Sequence, residues 1–212
     1  MERSPPTRNP PEWLEAFLEH SRRRTMPAGT CIIQDGARPD SLFYLIKGTV
    51  SVLIEDDQGH ELILAYLNDG EFFGEMGLFE DRSVRSARVI ARTECTIAEA
   101  TYSDFLQMSD HVPGILFEVA RQMSQRLRRT SAKVRDLAFL DVTGRVARCL
   151  LDLARQPDAM THPDGMQVHI TRQEIARIVG CSREMVGRVL RDLEEESLIR
   201  ARGKTIVVLG CR

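Results

Sequence analysis

Long hydrophobic runs are absent from this sequence of 212 residues. The longest apolar stretches cover residues 42–46 and 62–67, whereas a helix that crosses a bilayer needs about 20 apolar residues. The amino terminus is rich in proline and charge and contains no apolar stretch typical of a signal peptide. These absences argue against a membrane protein, and we expect a location in the cytoplasm.

Clusters of cysteine or histidine are absent as well. The five cysteines and five histidines stand apart from one another, without the paired spacing of a zinc site or of a disulfide framework. We therefore expect free thiols and no metal ion. An iron–sulfur sensor is disfavoured too, because Cys31 stands alone in the amino-terminal region.

The chain also lacks an overall positive charge, since its formal net charge is -2. The charges are unevenly distributed, however. Residues 1–137 hold 17 basic and 21 acidic side chains, whereas residues 138–212 hold 12 basic and 10 acidic ones. Residues 171–191 alone hold five arginines and two glutamates. This distribution indicates a nucleic acid contact in the carboxy-terminal part of the chain.

Residues 171–193 predict two short helices joined at Gly180. Thr171 followed by Glu174 is typical of a capping box, and Ser182 can cap the second helix. Glycine supplies the backbone freedom that a tight turn needs. One face of the second helix is apolar and is expected to lie in a core, namely Val186, Val189, Leu190 and Leu193.

The opposite face of this second helix carries charged side chains. Arginine pairs bidentately with guanine and glutamate accepts from cytosine, so we expect base contacts from Arg183, Glu184 and Arg188. The residues that fit phosphate contacts better are Arg172, Gln173 and Arg191. An ordinary amphipathic surface helix with solvated charges is the alternative interpretation.

The surrounding pattern predicts a winged helix. A short strand at residues 166–170 precedes the two helices, and a hairpin at residues 198–200 and 205–209 follows them, with Lys204 at the wing. In a symmetric dimer, two such units place their recognition helices about one turn of DNA apart. The DNA target is therefore expected to be close to palindromic.

Residues 28–100 predict an antiparallel sandwich or jelly roll, because short apolar runs alternate with glycine-containing turns. An amphipathic helix at about residues 12–21 is expected before them. Such a barrel has an interior for a small ligand. A metal-dependent cupin enzyme would need two or three histidines there, and only His60 falls in the strand region. No enzymatic activity is therefore expected.

A long helix is predicted from Pro113 to about residue 137, with a break at residues 139–141. One face follows the seam spacing of a two-stranded coiled coil, namely Leu116, Ala120, Met123, Leu127, Thr130, Val134 and Leu137. This pattern favours a homodimer, and the alternative is a helix packed on its own domain. Thr130 interrupts the apolar seam with a polar side chain. Thr130 and Ser131 are placed where they can contact a group near the partner subunit.

A glycine-rich segment at residues 70–79, followed by Arg85, suggests an anion site. Glycines let a backbone approach a ligand closely, and arginine provides a fork for a phosphate. Glu75 and Arg85 could grip a ribose phosphate from both ends. A structural turn with a surface Glu and Arg is the alternative.

Four segments carry a resemblance to a known family: residues 74–79 (GEMGLF), 137–145 (LAFLDVTGR), 156–166 (QPDAMTHPDGM) and 180–184 (GCSRE). From about residue 12 to residue 212 the chain resembles the cyclic AMP receptor proteins, also called catabolite activator proteins. The broader group includes the oxygen-sensing fumarate and nitrate regulators. The same fold could answer to another signal, such as cyclic di-GMP, a haem ligand or an iron–sulfur cluster.

The resemblance implies an α+β protein in three parts. A cyclic-nucleotide-binding jelly roll is expected at residues 1–111, with a flexible arm at 1–11. A dimerisation helix would follow at 112–137, and a winged helix-turn-helix domain at 138–212. Their expected function is cyclic AMP-dependent activation of transcription by a homodimer that binds double-stranded DNA with TGTGA-like half-sites and contacts RNA polymerase.

The resemblance also implies site residues. Glu75 would bind the ribose 2′-hydroxyl, while Arg85, Ser86 and Gly74 would hold the cyclic phosphate. Thr130 and the Ser131 of the other protomer would receive the adenine, with Arg126 nearby. The expected DNA contacts are Arg172, Gln173, Ser182, Arg183, Glu184, Arg188, Arg191 and Lys204. The expected RNA polymerase contacts are Ala159, Thr161, His162 and Gly165.

Overall fold

The computed structural model describes residues 10–79 and 84–211. The chain divides into two compact units, one within Met1–Ile54 and Leu64–Arg128 and the other within Glu55–Ile63 and Arg129–Arg212. Residues 1–9 of the expected amino-terminal arm lie outside the described residues. The long helix contributes residues to both units.

The first unit is built on two antiparallel sheets. In chain order the elements that lie wholly or partly in this unit are α1 (Glu12–Glu19), β1 (Arg22–Met26), β2 (Cys31–Ile33), β3 (Ser41–Lys47), β4 (Val50–Glu55), β5 (Glu61–Leu67), β6 (Phe72–Phe73), α2 (Met76–Phe79), β7 (Arg88–Ala91), β8 (Cys95–Thr101), α3 (Tyr102–His111) and α4 (Gly114–Phe139). The strand orders are β1-β8-β3-β6 and β2-β7-β4-β5. This arrangement agrees with the expected jelly roll.

Strand β3 lies at the centre of the packing because both of its faces are buried. Successive side chains of a strand point to opposite faces. Leu42 and Tyr44 therefore join a core with α1, α3 and α4, whereas Phe43 and Leu45 join a core that includes residues of the other sheet. The single tryptophan, Trp13, lies against the first core, with its ring 5.8 Å from that of Phe72.

Helix α4 has 26 residues and runs two residues past the expected end at residue 137. The break between α4 and the next helix, α5 (Val142–Leu153), is therefore narrower than the predicted residues 139–141. Asp141 already caps α5 by accepting a hydrogen bond from the Gly144 amide at 2.8 Å. No helix among the described residues combines the length and the apolar character needed to cross a membrane.

The second unit contains three helices and a four-stranded antiparallel sheet. Its elements are α5 (Val142–Leu153), β9 (Met160–His162), β10 (Gly165–His169), α6 (Arg172–Val179), α7 (Arg183–Glu195), β11 (Ile199–Arg202) and β12 (Thr205–Leu209), with strand order β11-β12-β10-β9. Each helix buries an apolar face. Cys149 of α5 lies among these residues, and burial raises the pKa of its thiol to about 12.

The sheet contains one strand that the sequence did not predict. Met160–His162 form β9, which pairs with β10 in the register Gly165↔His162. Gly165 permits the close pairing of β10 with β12, because a Cβ at its position would lie 2.0 Å from the Val208 carbonyl oxygen. The absence of a side chain at residue 165 is therefore a requirement of the sheet.

Candidate functional site

The glycine-rich segment forms the turn from β6 into the short helix α2. Gly74 has φ +79, a backbone conformation that side chains rarely adopt. A Cβ here would also lie 2.9 Å from Nη1 of Arg85. Gly74 therefore lets its own backbone lie close to Arg85, and the expected close approach to a ligand stays a prediction.

Arg85 is buried at 8% exposure, and its guanidinium donates into the protein. Nη1 donates to the carbonyl oxygen of Gly74 at 2.7 Å, and Nη2 donates to that of Ser41 at the same distance. The carboxylate of Asp40 lies 3.9 Å away, but its side chain is 77% exposed. Because neutral carbonyls orient this cation without cancelling its charge, its position suits an anionic ligand.

Tyr102, the first residue of α3, completes the surroundings of this guanidinium. Its hydroxyl donates to the Gly74 carbonyl oxygen at 2.6 Å and accepts from Arg85 Nη1 at 3.0 Å. Burial raises the pKa of Tyr102 above its usual value, although the neighbouring Arg85 opposes the shift. No local pattern in the sequence indicates this residue.

Glu75 forms the second part of the site. It is buried at 5% exposure, and its Oε1 lies 2.7 Å from Nη1 of Arg126 on α4. Nη2 of Arg126 donates to the Phe72 carbonyl oxygen at 2.7 Å. The structure thus brings Arg126 to Glu75, beside the Gly74 turn that contacts Arg85. Ser86 is exposed and lies 3.6 Å from the sulfur of Met76.

Gln122, one helical turn before Arg126, also reaches this segment. Its side-chain oxygen accepts from the Phe72 amide at 2.7 Å, and its side-chain nitrogen donates to the Gly70 carbonyl oxygen at 2.9 Å. The same nitrogen donates to Glu118. A hydrogen bond from Arg121 lowers the pKa of Glu118, so this acceptor remains ionised at neutral pH. Gln122 is not among the residues predicted from the sequence.

Thr130 and Ser131 are exposed residues of α4 within the second unit. Their expected contact with a ligand is not tested by the structure and stays a prediction. No three histidine, cysteine or acidic side chains within residues 10–79 and 84–211 are grouped to hold a metal ion.

The two helices predicted from local signals are present. Thr171 accepts a hydrogen bond from the Glu174 amide, and Ser182 accepts one from the Met185 amide. Gly180 ends α6 with φ +71. The four predicted apolar residues of α7 are all buried. These observations confirm the predicted start of both helices, the turn and the buried face.

All eight predicted DNA-contact residues are exposed, namely Arg172, Gln173, Ser182, Arg183, Glu184, Arg188, Arg191 and Lys204. Arg183 and Glu184 open α7, and Arg188 lies one turn further on. Lys204 lies in the turn between β11 and β12. The charged face is therefore accessible, as a DNA contact requires.

The predicted RNA polymerase contacts lie on or next to the β9–β10 hairpin. Thr161 is exposed, Ala159 and His162 are half-buried, and Gly165 is buried. The nitrogen Nδ1 of His162 accepts from the Asp164 amide at 3.2 Å, which shapes the turn. The burial of Gly165 leaves little of this residue for a partner to touch, so its role within the sheet is packing.

Comparison with known protein families defines the class. A cyclic nucleotide-binding domain matches residues 23–111, and a Crp-like helix-turn-helix domain matches residues 144–211. The first match covers the glycine-rich turn and the buried Arg85, and the second covers the two capped helices. Together they define a DNA-binding transcription regulator with a domain for a cyclic nucleotide.

Similar proteins specify the family. The chain is 58% identical over 202 residues to the cAMP-activated global transcriptional regulator Vfr of Pseudomonas aeruginosa, covering 94% of each chain. It is 56% identical to the cAMP-activated global transcriptional regulator CRP of Salmonella typhimurium, covering 94% of this chain and 95% of that one. The chain therefore belongs to the cyclic AMP receptor protein family.

A solved structure agrees with this assignment. The c-di-GMP responsive global regulator CLP of Xanthomonas campestris matches with a TM-score of 0.89 and 45% identity, covering 93% of this chain and 98% of that one. The comparisons confirm the expected fold class. The relatives are regulators and not enzymes, which confirms that expectation too.

The pair of Glu75 and Arg126 leads to a stability prediction. Arg126→Met should leave the buried carboxylate of Glu75 without its cation and lower the free energy of unfolding by about 3 kcal/mol. Arg128→Met, which changes an exposed arginine of the same helix, should alter it by no more than about 0.5 kcal/mol. Urea denaturation at one protein concentration measures both, and equal midpoints for the two variants would contradict the prediction.

Proposed function

We propose that the protein is a cyclic AMP-dependent regulator of transcription that acts mainly as an activator. The observation that carries the proposal is the buried Arg85, which is oriented by carbonyl oxygens next to the Gly74 turn. The proposal assigns residues 1–111 to cyclic nucleotide binding, 112–137 to dimerisation and 138–212 to DNA binding.

In this proposal the ligand is held through its charged and polar groups. Arg85, Ser86 and the Gly74 turn bind the cyclic phosphate, and the carboxylate of Glu75 accepts from the ribose 2′-hydroxyl. The contact between Arg126 and Glu75 holds this carboxylate in place. Thr130 and the Ser131 of the other protomer bind the adenine, so that ligand occupancy affects the dimer.

Calorimetric titration with cyclic AMP, cyclic GMP and cyclic di-GMP tests the ligand. We expect the wild type to bind cyclic AMP, and Arg85→Ala to weaken that binding about a hundredfold or more, because two or more charge-assisted hydrogen bonds are lost. Arg38→Ala removes an exposed arginine of the same unit and should leave the affinity unchanged. An Arg85→Ala protein with normal affinity would show that the phosphate lies elsewhere.

Cyclic di-GMP is the second candidate ligand, because the similar regulator CLP is c-di-GMP responsive by name. Two observations favour cyclic AMP. The relatives with 56% and 58% identity are cAMP-activated regulators. Arg85 is the one buried arginine within residues 10–79 and 84–211, and together with Glu75 it suits one phosphate and one ribose. Binding of cyclic di-GMP without binding of cyclic AMP would replace the first proposal with the second.

We propose that α7 reads bases in the major groove. Its exposed amino-terminal end carries Arg183 and Glu184, and Arg188 follows on the exposed face. Arg172, Gln173 and Arg191 contact phosphates, Ser182 caps the recognition helix at the DNA surface, and Lys204 contacts DNA from the wing. Two such helices in a symmetric dimer fit a palindromic site with TGTGA-like half-sites.

The base-reading role predicts a difference between sequences. Arg183→Ala should weaken binding to a palindromic TGTGA duplex by about 1–3 kcal/mol per half-site and bring it close to the affinity for a scrambled duplex. Arg191→Ala should weaken both complexes alike, since a phosphate contact carries no sequence information. Fluorescence anisotropy with both duplexes and saturating cyclic AMP measures this. An equal loss on both duplexes in Arg183→Ala would assign that arginine to phosphate.

We propose that α4 forms the homodimer. Ile115 and Val119 bury one face of this helix in its own unit. The seam nevertheless leaves apolar side chains open to solvent, with Leu127 68%, Val134 61% and Leu137 53% exposed. Packing on its own domain therefore accounts for one face only, and a second copy of α4 would cover the seam.

A charged residue in the seam tests the dimer. Leu127→Glu should convert a dimer of 24.0 kDa chains into monomers, because it places carboxylates in the apolar interface. Arg128→Glu changes an exposed neighbour outside the seam and should leave the dimer intact. Sedimentation velocity distinguishes the dimer from the monomer. A wild type that sediments as a monomer would contradict the proposed homodimer.

We also propose that the β9–β10 hairpin contacts RNA polymerase. Thr161 offers an exposed side chain there, with Ala159 and His162 beside it. Gly165 would contribute through the shape of the hairpin, since it allows β10 to approach Val208 closely.

A further inference from the structure

The backbone groups on the outer edge of β6 need hydrogen-bond partners, and the proposed ligand contacts do not supply them. This strand has two residues and ends the sheet order β1-β8-β3-β6, with β3 on its inner side. An edge strand presents unpaired amide and carbonyl groups. Phe72 is buried at 1% exposure, so water is a poor substitute partner for its backbone, and buried backbone groups need hydrogen bonds.

Two side chains of α4 take the place of the missing strand. Gln122 accepts from the Phe72 amide and donates to the Gly70 carbonyl, while Arg126 donates to the Phe72 carbonyl. A neighbouring antiparallel strand would bind the same groups, namely the amide and carbonyl of Phe72 and the carbonyl of Gly70, two residues earlier. Gln122 and Arg126 are four residues apart and so lie on one face of the helix.

Gln122 is the more specific of the two side chains. Its side-chain amide has one acceptor and two donors, and all three form hydrogen bonds. The oxygen accepts from the Phe72 amide, and the nitrogen donates to the Gly70 carbonyl and to Glu118. Glu118 itself is held by Arg121 through Nε at 2.8 Å. The orientation of the Gln122 amide is therefore fixed from the helix side, and the position of residues 70–72 follows from it.

We infer that Gln122 is a positioning residue that fastens the ligand-contact segment, residues 70–75, to α4. Glu75 and the Gly74 turn belong to this segment, and Glu75 is itself held by Arg126. A ligand that moves the segment must move α4 with it, because the backbone of residues 70 and 72 is tied to that helix. Gln122 thus contributes to the coupling between ligand occupancy and DNA binding. The inference rests on the proposed function.

The test compares Gln122→Met with Gln125→Met. Methionine resembles glutamine in length and cannot make the three hydrogen bonds. Gln125 lies on the same helix and outside the seam. Its side chain is partly buried, whereas that of Gln122 is buried. The coupling factor is the ratio of the DNA dissociation constants without and with saturating cyclic AMP, measured on the palindromic TGTGA duplex. The dissociation constant for cyclic AMP without DNA and the thermal midpoint are measured on the same samples.

We expect Gln122→Met to lower the coupling factor about tenfold, which is within the usual range of allosteric coupling. Gln125→Met should change it by no more than about twofold. A merely structural role of Gln122 would lower the thermal midpoint and leave the coupling factor of the folded protein at its wild-type value. That second result would overturn the inference and leave the proposed function standing.

A second variant covers the case in which Gln122→Met does not fold. Gln122→Glu keeps the acceptor for the Phe72 amide, loses donation to Gly70 and places a carboxylate next to that carbonyl and Glu118. It should lower the coupling factor as well, and a wild-type value in this folded variant would overturn the inference. Two results for the wild type would overturn the proposed function together with the inference: no binding of a cyclic nucleotide, or a DNA dissociation constant that is the same with and without it.

Discussion

The buried outer edge of β6 is the constraint on which the site proposed for the ligand depends. Polar backbone groups in a dry environment need partners, and the chain supplies them from α4 through Gln122 and Arg126. The same arginine holds the carboxylate of Glu75. Because α4 also carries the apolar seam, one helix supports both the site proposed for the nucleotide and the surface proposed for the second protomer. The proposed ligand contact and the proposed subunit contact therefore share a single element.

The two functional regions are built on different length scales. The helix-turn-helix depends on contacts between near neighbours, such as the caps at Thr171 and Ser182 and the turn at Gly180. Arg85 depends instead on carbonyl oxygens 11 and 44 residues away along the chain. The helix-turn-helix is therefore held by contacts that are close in the sequence, whereas the surroundings of Arg85 form only when distant segments of the chain come together.

This difference in length scale explains what could be predicted from the sequence. The capped helices and the buried face of α7 followed from near-neighbour patterns, and the structure has them. Strand β1 could not be recognised, because its sequence RRRTM has no apolar alternation and its position depends on pairing with β8. Glu75 and Arg85 were identified beside a glycine-rich turn, but Gln122 was not. Its partners are backbone atoms 50 and 52 residues away, and sequence pattern carries no signal for such contacts.

The single tryptophan lies on the other side of the same segment. Trp13 packs against Phe72 with 5.8 Å between ring centroids, and against Tyr44 with 6.1 Å. Phe72 is also the residue whose backbone is tied to α4. The indole is therefore a native fluorophore in contact with Phe72, a residue of the segment proposed to contact the ligand. The emission of the unlabelled protein can report a change in the surroundings of Phe72, free of interference from any other indole in the chain.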